Sequence, residues 1–101
     1  MSSDANLSSI QQLLRDAMPE LANAFGVESL AVFGSVARGQ AAARSDVDLL
    51  VRFSGQAPSL FEFVRLERQL SELLGRPVDL VMETALKPRL RDRILAEAVA
   101  A

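Results

Sequence analysis

Gly34-Ser35-Val36-Ala37-Arg38-Gly39, followed by Ser45-Asp46-Val47-Asp48, is the stretch that decides how this chain is read. The first half is a turn of small residues suited to phosphate. Glycine lets the backbone come close, and a strand that turns sharply into a helix presents N–H donors and a positive dipole end. Ser35 adds a hydroxyl, and Arg38 adds a guanidinium long enough to reach phosphate oxygens. The second half places two carboxylates one residue apart. Strand side chains alternate faces, so Asp46 and Asp48 point the same way while Val47 points into the core. Paired hard-oxygen ligands beside a phosphate cradle suit Mg²⁺ and a nucleoside triphosphate. Taken singly, a Gly-Ser turn is usually only a turn, and an Asp-x-Asp pair is usually solvated. Their adjacency, and the apolar run Leu49-Leu50-Val51 that orients the pair, raise both above that level.

Working outward, Ser8 or Ser9 caps a first helix in which Ile10, Leu13, Leu14, Ala17, Leu21 and Phe25 recur at helical spacing. Pro19 is expected to kink or restart it, and Gly26 to end it. Residues 1–6 read as a frayed tail. Residues 27–33 read as a buried strand, 36–39 as a short helical turn, 40–45 as a loop and 46–53 as a second strand. Ser59 and Glu62 form a capping box for a third helical segment that Gly75 terminates. Residues 77–82 form a third strand. Pro88 opens a last helix whose buried side is expected to be Leu90, Ile94, Leu95, Ala98 and Val99. This order fits an α/β fold, a short sheet backed by helices.

Asp79 lies between Val78 and Leu80 in that third strand. As a strand-edge residue it would face water. Placed on the strand beside Asp46 and Asp48 it would complete a trio of carboxylates around one or two metal ions, and would orient or deprotonate an attacking hydroxyl.

Composition removes other chemistries. The chain of 101 residues fits one small domain and contains no Cys and no His. Thiol nucleophiles, disulfides, zinc-thiolate sites, His-ligated metals and Ser-His-Asp triads are therefore excluded. Ser35 has no such base to make it a nucleophile. Absence of Tyr and Trp removes most stacking platforms for single strands, and a net charge of −2 gives no bulk attraction to nucleic acid, so direct nucleic-acid binding is not expected. No apolar run is long enough to span a bilayer, and the N-terminus lacks the pattern of a signal peptide, which makes a cytoplasmic location the expectation.

Gly34-Ser35-x-Ala37-Arg38-Gly39, then Ser45-Asp46-x-Asp48-Leu49-Leu50-Val51, then Val78-Asp79-Leu80-Val81, resembles the minimal nucleotidyltransferase (MNT) family of the DNA polymerase β superfamily. Leu86-Lys87-Pro88-x-Leu90-Arg91-x-Arg93-Ile94-Leu95 resembles that family's closing helix. The resemblance implies a polymerase β palm-like fold and transfer of a nucleoside monophosphate, AMP from ATP by family preference, to a hydroxyl with release of pyrophosphate. By motif matching, Gly34 and Ser35 bind the triphosphate; Arg38 reads either as a further phosphate-binding residue or as a solvated helix arginine. Asp46 and Asp48 bind Mg²⁺, and Asp79 completes the metal site and activates the acceptor. Short members of the family resemble the antitoxin of a toxin–antitoxin pair whose toxin is a HEPN-domain ribonuclease modified on a tyrosine. Two alternatives remain open: a non-catalytic antitoxin that masks its partner, and nucleotidyl transfer to a small molecule. A hetero-complex or an oligomer is compatible with either protein-directed role.

Other residues favour plainer roles. Arg44, Arg52 and Lys87 read individually as surface charges. Arg89, Arg91 and Arg93 read as a solvated helix face. Phe61 and Phe63 read as core or partner-facing, and Glu83 has no assigned role.

Overall fold

The computed structural model describes residues 7–39 and 46–101. The expected tail at 1–6 and the expected loop at 40–45, with Arg44, lie outside the described residues. Helix α1 (Leu7–Phe25) buries Ile10, Leu14 and Leu21 on one face. It begins just ahead of the expected caps Ser8 and Ser9. Pro19 lies within the helix instead of dividing it. A proline inside a helix forfeits one N–H bond to the carbonyl four residues back. Here the proline is exposed, and the buried leucines on either side hold both halves to the same sheet. Gly26, at a φ of +72°, ends the helix as expected.

Strands β1 (Val27–Phe33), β2 (Val47–Phe53), β3 (Val78–Met82) and β4 (Val99–Ala100) form one sheet in the order β3-β2-β1-β4. β1 is antiparallel to β2 and β4, while β2 and β3 are parallel. The parallel pair requires a crossover, and α3 (Leu60–Leu74) supplies it. The Ser59 hydroxyl accepts the Glu62 N–H at 3.2 Å, and Gly75 closes the helix in the left-handed conformation. α3 also covers the outer edge of β3. Ser71 Oγ accepts the Val78 N–H at 3.0 Å, and Glu67 Oε2 accepts the Leu80 N–H at 3.0 Å. An edge strand left bare would instead offer those groups to another chain.

The two sheet faces differ in chemistry. Leu30 and Val32 of β1, Val47, Leu49 and Val51 of β2, and Val78 and Leu80 of β3 are buried in the core with α1 and α3. Strand alternation then sends Asp48, Leu50, Arg52 and Asp79 to the opposite face. α4 (Pro88–Glu97) packs near that face, touching β1 and the short helix α2 (Gly34–Ala37).

The last segment departs from expectation. α4 has no buried residue; Leu90 and Leu95 are 46% and 42% exposed, and Ile94, Ala98 and Val99 are only half-buried. Val99 is not helical, because the chain turns extended at Ala98 and pairs Val99 and Ala100 with Val32 and Ala31. Sheet pairing at this edge replaces the helix packing that periodicity suggested. No helix is long and apolar enough to cross a membrane among the described residues.

Candidate active site

β1 ends at Phe33, which pairs with Asp48. The next residue, Gly34, has a φ of +75°. A Cβ there would overlap Oδ2 of Asp48. Glycine is thus needed twice, for its dihedral and for the close approach of backbone to carboxylate. α2 starts at once, two residues ahead of the expected turn. Its carbonyls at Gly34 and Val36 accept the Arg38 and Gly39 N–H groups, each at 3.1 Å. Val36 is buried and anchors the turn, while Ser35 is half-buried beside it.

Across the turn, Asp48 of β2 lies in register with Asp79 of β3. Both strands run the same way, so the two carboxylates emerge side by side at about the inter-strand spacing of 4.8 Å. Asp46 stands just before β2 and is exposed. The Asp48 carboxyl is pushed above its ordinary pKa, first by burial, then by the charges of Asp79 and Asp46. Arg38 opposes that shift and Glu97 adds to it. All three expected acidic residues therefore share one electrostatic neighbourhood. Among the described residues, no three candidate ligands stand close enough together to form a metal cage as they are. The donor set fits a hard divalent cation even so. It is all oxygen, and Asp48 carries a charge that its protein surroundings leave undercompensated.

Arg38 meets a residue that the sequence reading passed over. Its Nη1 donates to Glu97 Oε1 at 3.0 Å and to Oε2 at 3.3 Å, while the Gly34 N–H donates to Glu97 Oε2 at 2.9 Å. These donors, the Gly34 amide first, hold the Glu97 carboxyl below the usual carboxylate range. A cleft lined by Phe33, Gly34, Arg38, Leu90, Arg93, Ile94 and Glu97 opens beside the turn. Farther along the same face, Arg52 is paired with Glu83 at 2.7 Å. That gives Glu83 a partner and agrees with reading Arg52 as a surface charge.

The Nucleotidyltransferase domain family matches residues 12–101. Protein adenylyltransferase MntA of Thermococcus cleftensis is 45% identical over 93 residues, which cover 92% of this chain and 93% of that one. A solved structure of a minimal nucleotidyltransferase is 42% identical with a TM-score of 0.76, covering 93% of this chain and 94% of that one. A chain from the solved complex of tri-AMPylated Shewanella oneidensis HEPN toxin with MNT antitoxin has a TM-score of 0.62 at 21% identity. That match covers 89% of this chain and 70% of the other and speaks to fold alone. The glycine turn, the in-register aspartates and a family match over most of the length agree: this chain belongs to the nucleotidyltransferase domain family, as a minimal nucleotidyltransferase enzyme with the polymerase β-like fold.

Proposed function

We propose that the protein transfers AMP from ATP, with Mg²⁺, to a hydroxyl on a partner protein in the cytoplasm, and that the partner is a HEPN-domain toxin for which this chain is the antitoxin. The observation that carries the catalytic part is the register of Asp48 with Asp79, facing a glycine whose Cα abuts the Asp48 carboxylate. The name protein adenylyltransferase, borne by the Thermococcus relative, supports ATP as donor and a protein as acceptor.

Each residue has a physical task. The turn at Gly34 and Ser35 binds the triphosphate through the Ser35 hydroxyl and the backbone N–H groups beyond Gly34, whose own N–H is held by Glu97, and Arg38 adds positive charge at its exit. Asp46, Asp48 and Asp79 would hold Mg²⁺, which when bound offsets phosphate charge and orients the α-phosphate. Asp79 accepts the acceptor's proton as the hydroxyl oxygen bonds to the α-phosphorus. The bond from that phosphorus to the bridging oxygen breaks, and pyrophosphate leaves with its electron pair. Such transfer needs positioning and charge neutralisation more than covalent catalysis.

One end of α3 is apolar and open, a surface suited to an acceptor protein. Leu60, Phe61 and Val64 are 78%, 72% and 44% exposed. That patch also favours a second reading, neutralisation by masking. Incubation with α-labelled ATP, Mg²⁺ and the co-encoded toxin separates the two. Label on the toxin, lost in the Asp46→Asn/Asp48→Asn double variant together with neutralisation, supports transfer. Neutralisation by an unlabelled complex, retained in that variant, supports masking.

A further inference from the structure

Glu97 stands at the end of α4, far from the motif residues in sequence, yet its two carboxylate oxygens meet the first amide of the glycine turn and the arginine that closes it. We propose that Glu97 is a positioning residue for the nucleotide. Its carboxylate fixes the Gly34 amide and the Arg38 guanidinium relative to each other, so that the turn meets a triphosphate in one orientation. This inference rests on reading the turn as the triphosphate site.

Both ends of the clamp are anchored to the same strand. Gly34 directly follows Phe33 of β1. Glu97 is followed by β4, whose Val99 and Ala100 pair with Val32 and Ala31 of β1. The Ala101 N–H donates to the Leu30 carbonyl at 3.0 Å, and Gln11 Nε2 donates to the Ala100 carbonyl at 2.7 Å. The backbone that carries the carboxylate is therefore tied to β1 and α1 at once. A carboxylate on so fixed a mount can set the direction of two donors. Charge-assisted bonds of this kind are shorter and stronger than neutral ones. The Arg38 guanidinium and the Glu97 carboxylate also act on the Asp48 carboxyl, in opposite senses. Swinging the guanidinium away would remove positive charge from the neighbourhood where a triphosphate and a metal-binding carboxylate meet.

A contrary role is physically reasonable and has the opposite sign. A carboxylate seated on donors that suit phosphate can instead compete with phosphate. The test uses the full-length protein with Mg²⁺, ATP binding by calorimetry, and steady-state transfer to the partner. A positioning Glu97 predicts that Glu97→Ala raises both the ATP Kd and the KM by about tenfold or more, with kcat altered much less. Glu97→Gln, whose amide oxygen still accepts the Gly34 N–H, recovers part of that loss. Adding Arg38→Ala to Glu97→Ala produces little further change, because the two act as one unit. Tighter ATP binding by Glu97→Ala overturns the proposal in favour of competition. A lowered melting temperature with unchanged KM in both variants overturns it in favour of a purely structural role. Wild-type protein that binds no ATP overturns the nucleotide-site reading itself, and the clamp with it. A wild type that binds ATP no better than its Glu97 variants overturns the positioning role alone and leaves the nucleotide site standing.

Discussion

Gly34 presents a bare Cα to the carboxylate of Asp48, at a separation that leaves no room for even a methyl group. The turn and β2 are thus fitted to each other through one glycine. Gly34→Ala must relieve an overlap and hold a left-handed dihedral, which alone is worth about 1–2 kcal/mol. We expect a lower melting temperature and loss of transfer at temperatures where the variant is still folded. Gly75→Ala is the control. Its φ of +69° is similarly strained, but a methyl there meets open space. It should lose only that dihedral cost of about 1–2 kcal/mol and retain transfer, as melts and label transfer on both variants will show.

Asp48 is harder to ionise in the folded chain than in the unfolded one. Between the ordinary value of 3.8 and its raised folded value, the folded state binds more protons. Stability therefore falls as pH rises through that window and stays lowered above it. Asp48→Asn removes the penalty. In chelator at neutral pH the variant should melt above the wild type, and the gap should close below the window. Mg²⁺ should raise the wild-type melting temperature and leave the variant unchanged. Transfer should be lost in the variant under all of these conditions.

Leu49 is the neighbour of Asp48 but points to the other face and is fully buried. Leu49→Ala should lower stability by about 2–5 kcal/mol through an ordinary cavity. Whatever fraction remains folded should keep near-normal transfer per folded molecule. Denaturant melts paired with rate measurements test the contrast between the two sides of one strand.

Arg52 lies on the Asp48 face, about 13 Å farther along the strand, and is engaged by Glu83 at the surface. Exposed pairs contribute little to stability. Arg52→Ala should leave the ATP KM and the melting temperature close to wild type. A large rise in KM would instead place Arg52 in the nucleotide site.

Local signals were legible in the sequence where one residue decides the structure. Ser59 begins α3 and Gly75 ends it as their chemistry dictates, and the alternation through Val47, Asp48 and Leu49 gave β2 its two faces. The meeting of Asp48 and Asp79 followed from a crossover that brings the third strand beside the second. What escaped was non-local. β4 is two residues long and has no periodicity to detect, and its pairing depends on an edge of β1 lying open beside it. Glu97 read as one charge at the end of a polar helix, since nothing in the chain signals a partner 63 positions away. Pro19 does not restart the helix, one of the two outcomes its chemistry allowed. The buried face of α1 outweighed a local helix breaker.

Crystals grown with a non-hydrolysable ATP analogue and Mn²⁺ in place of Mg²⁺ offer the most direct measurement, because the anomalous signal locates the metal without reference to the protein chemistry. A peak in contact with both Asp48 and Asp79, with the analogue's phosphates against the Gly34–Ser35 turn, is the predicted result. Metal and phosphates bound elsewhere, with Asp48 and Asp79 contacting neither, would contradict it.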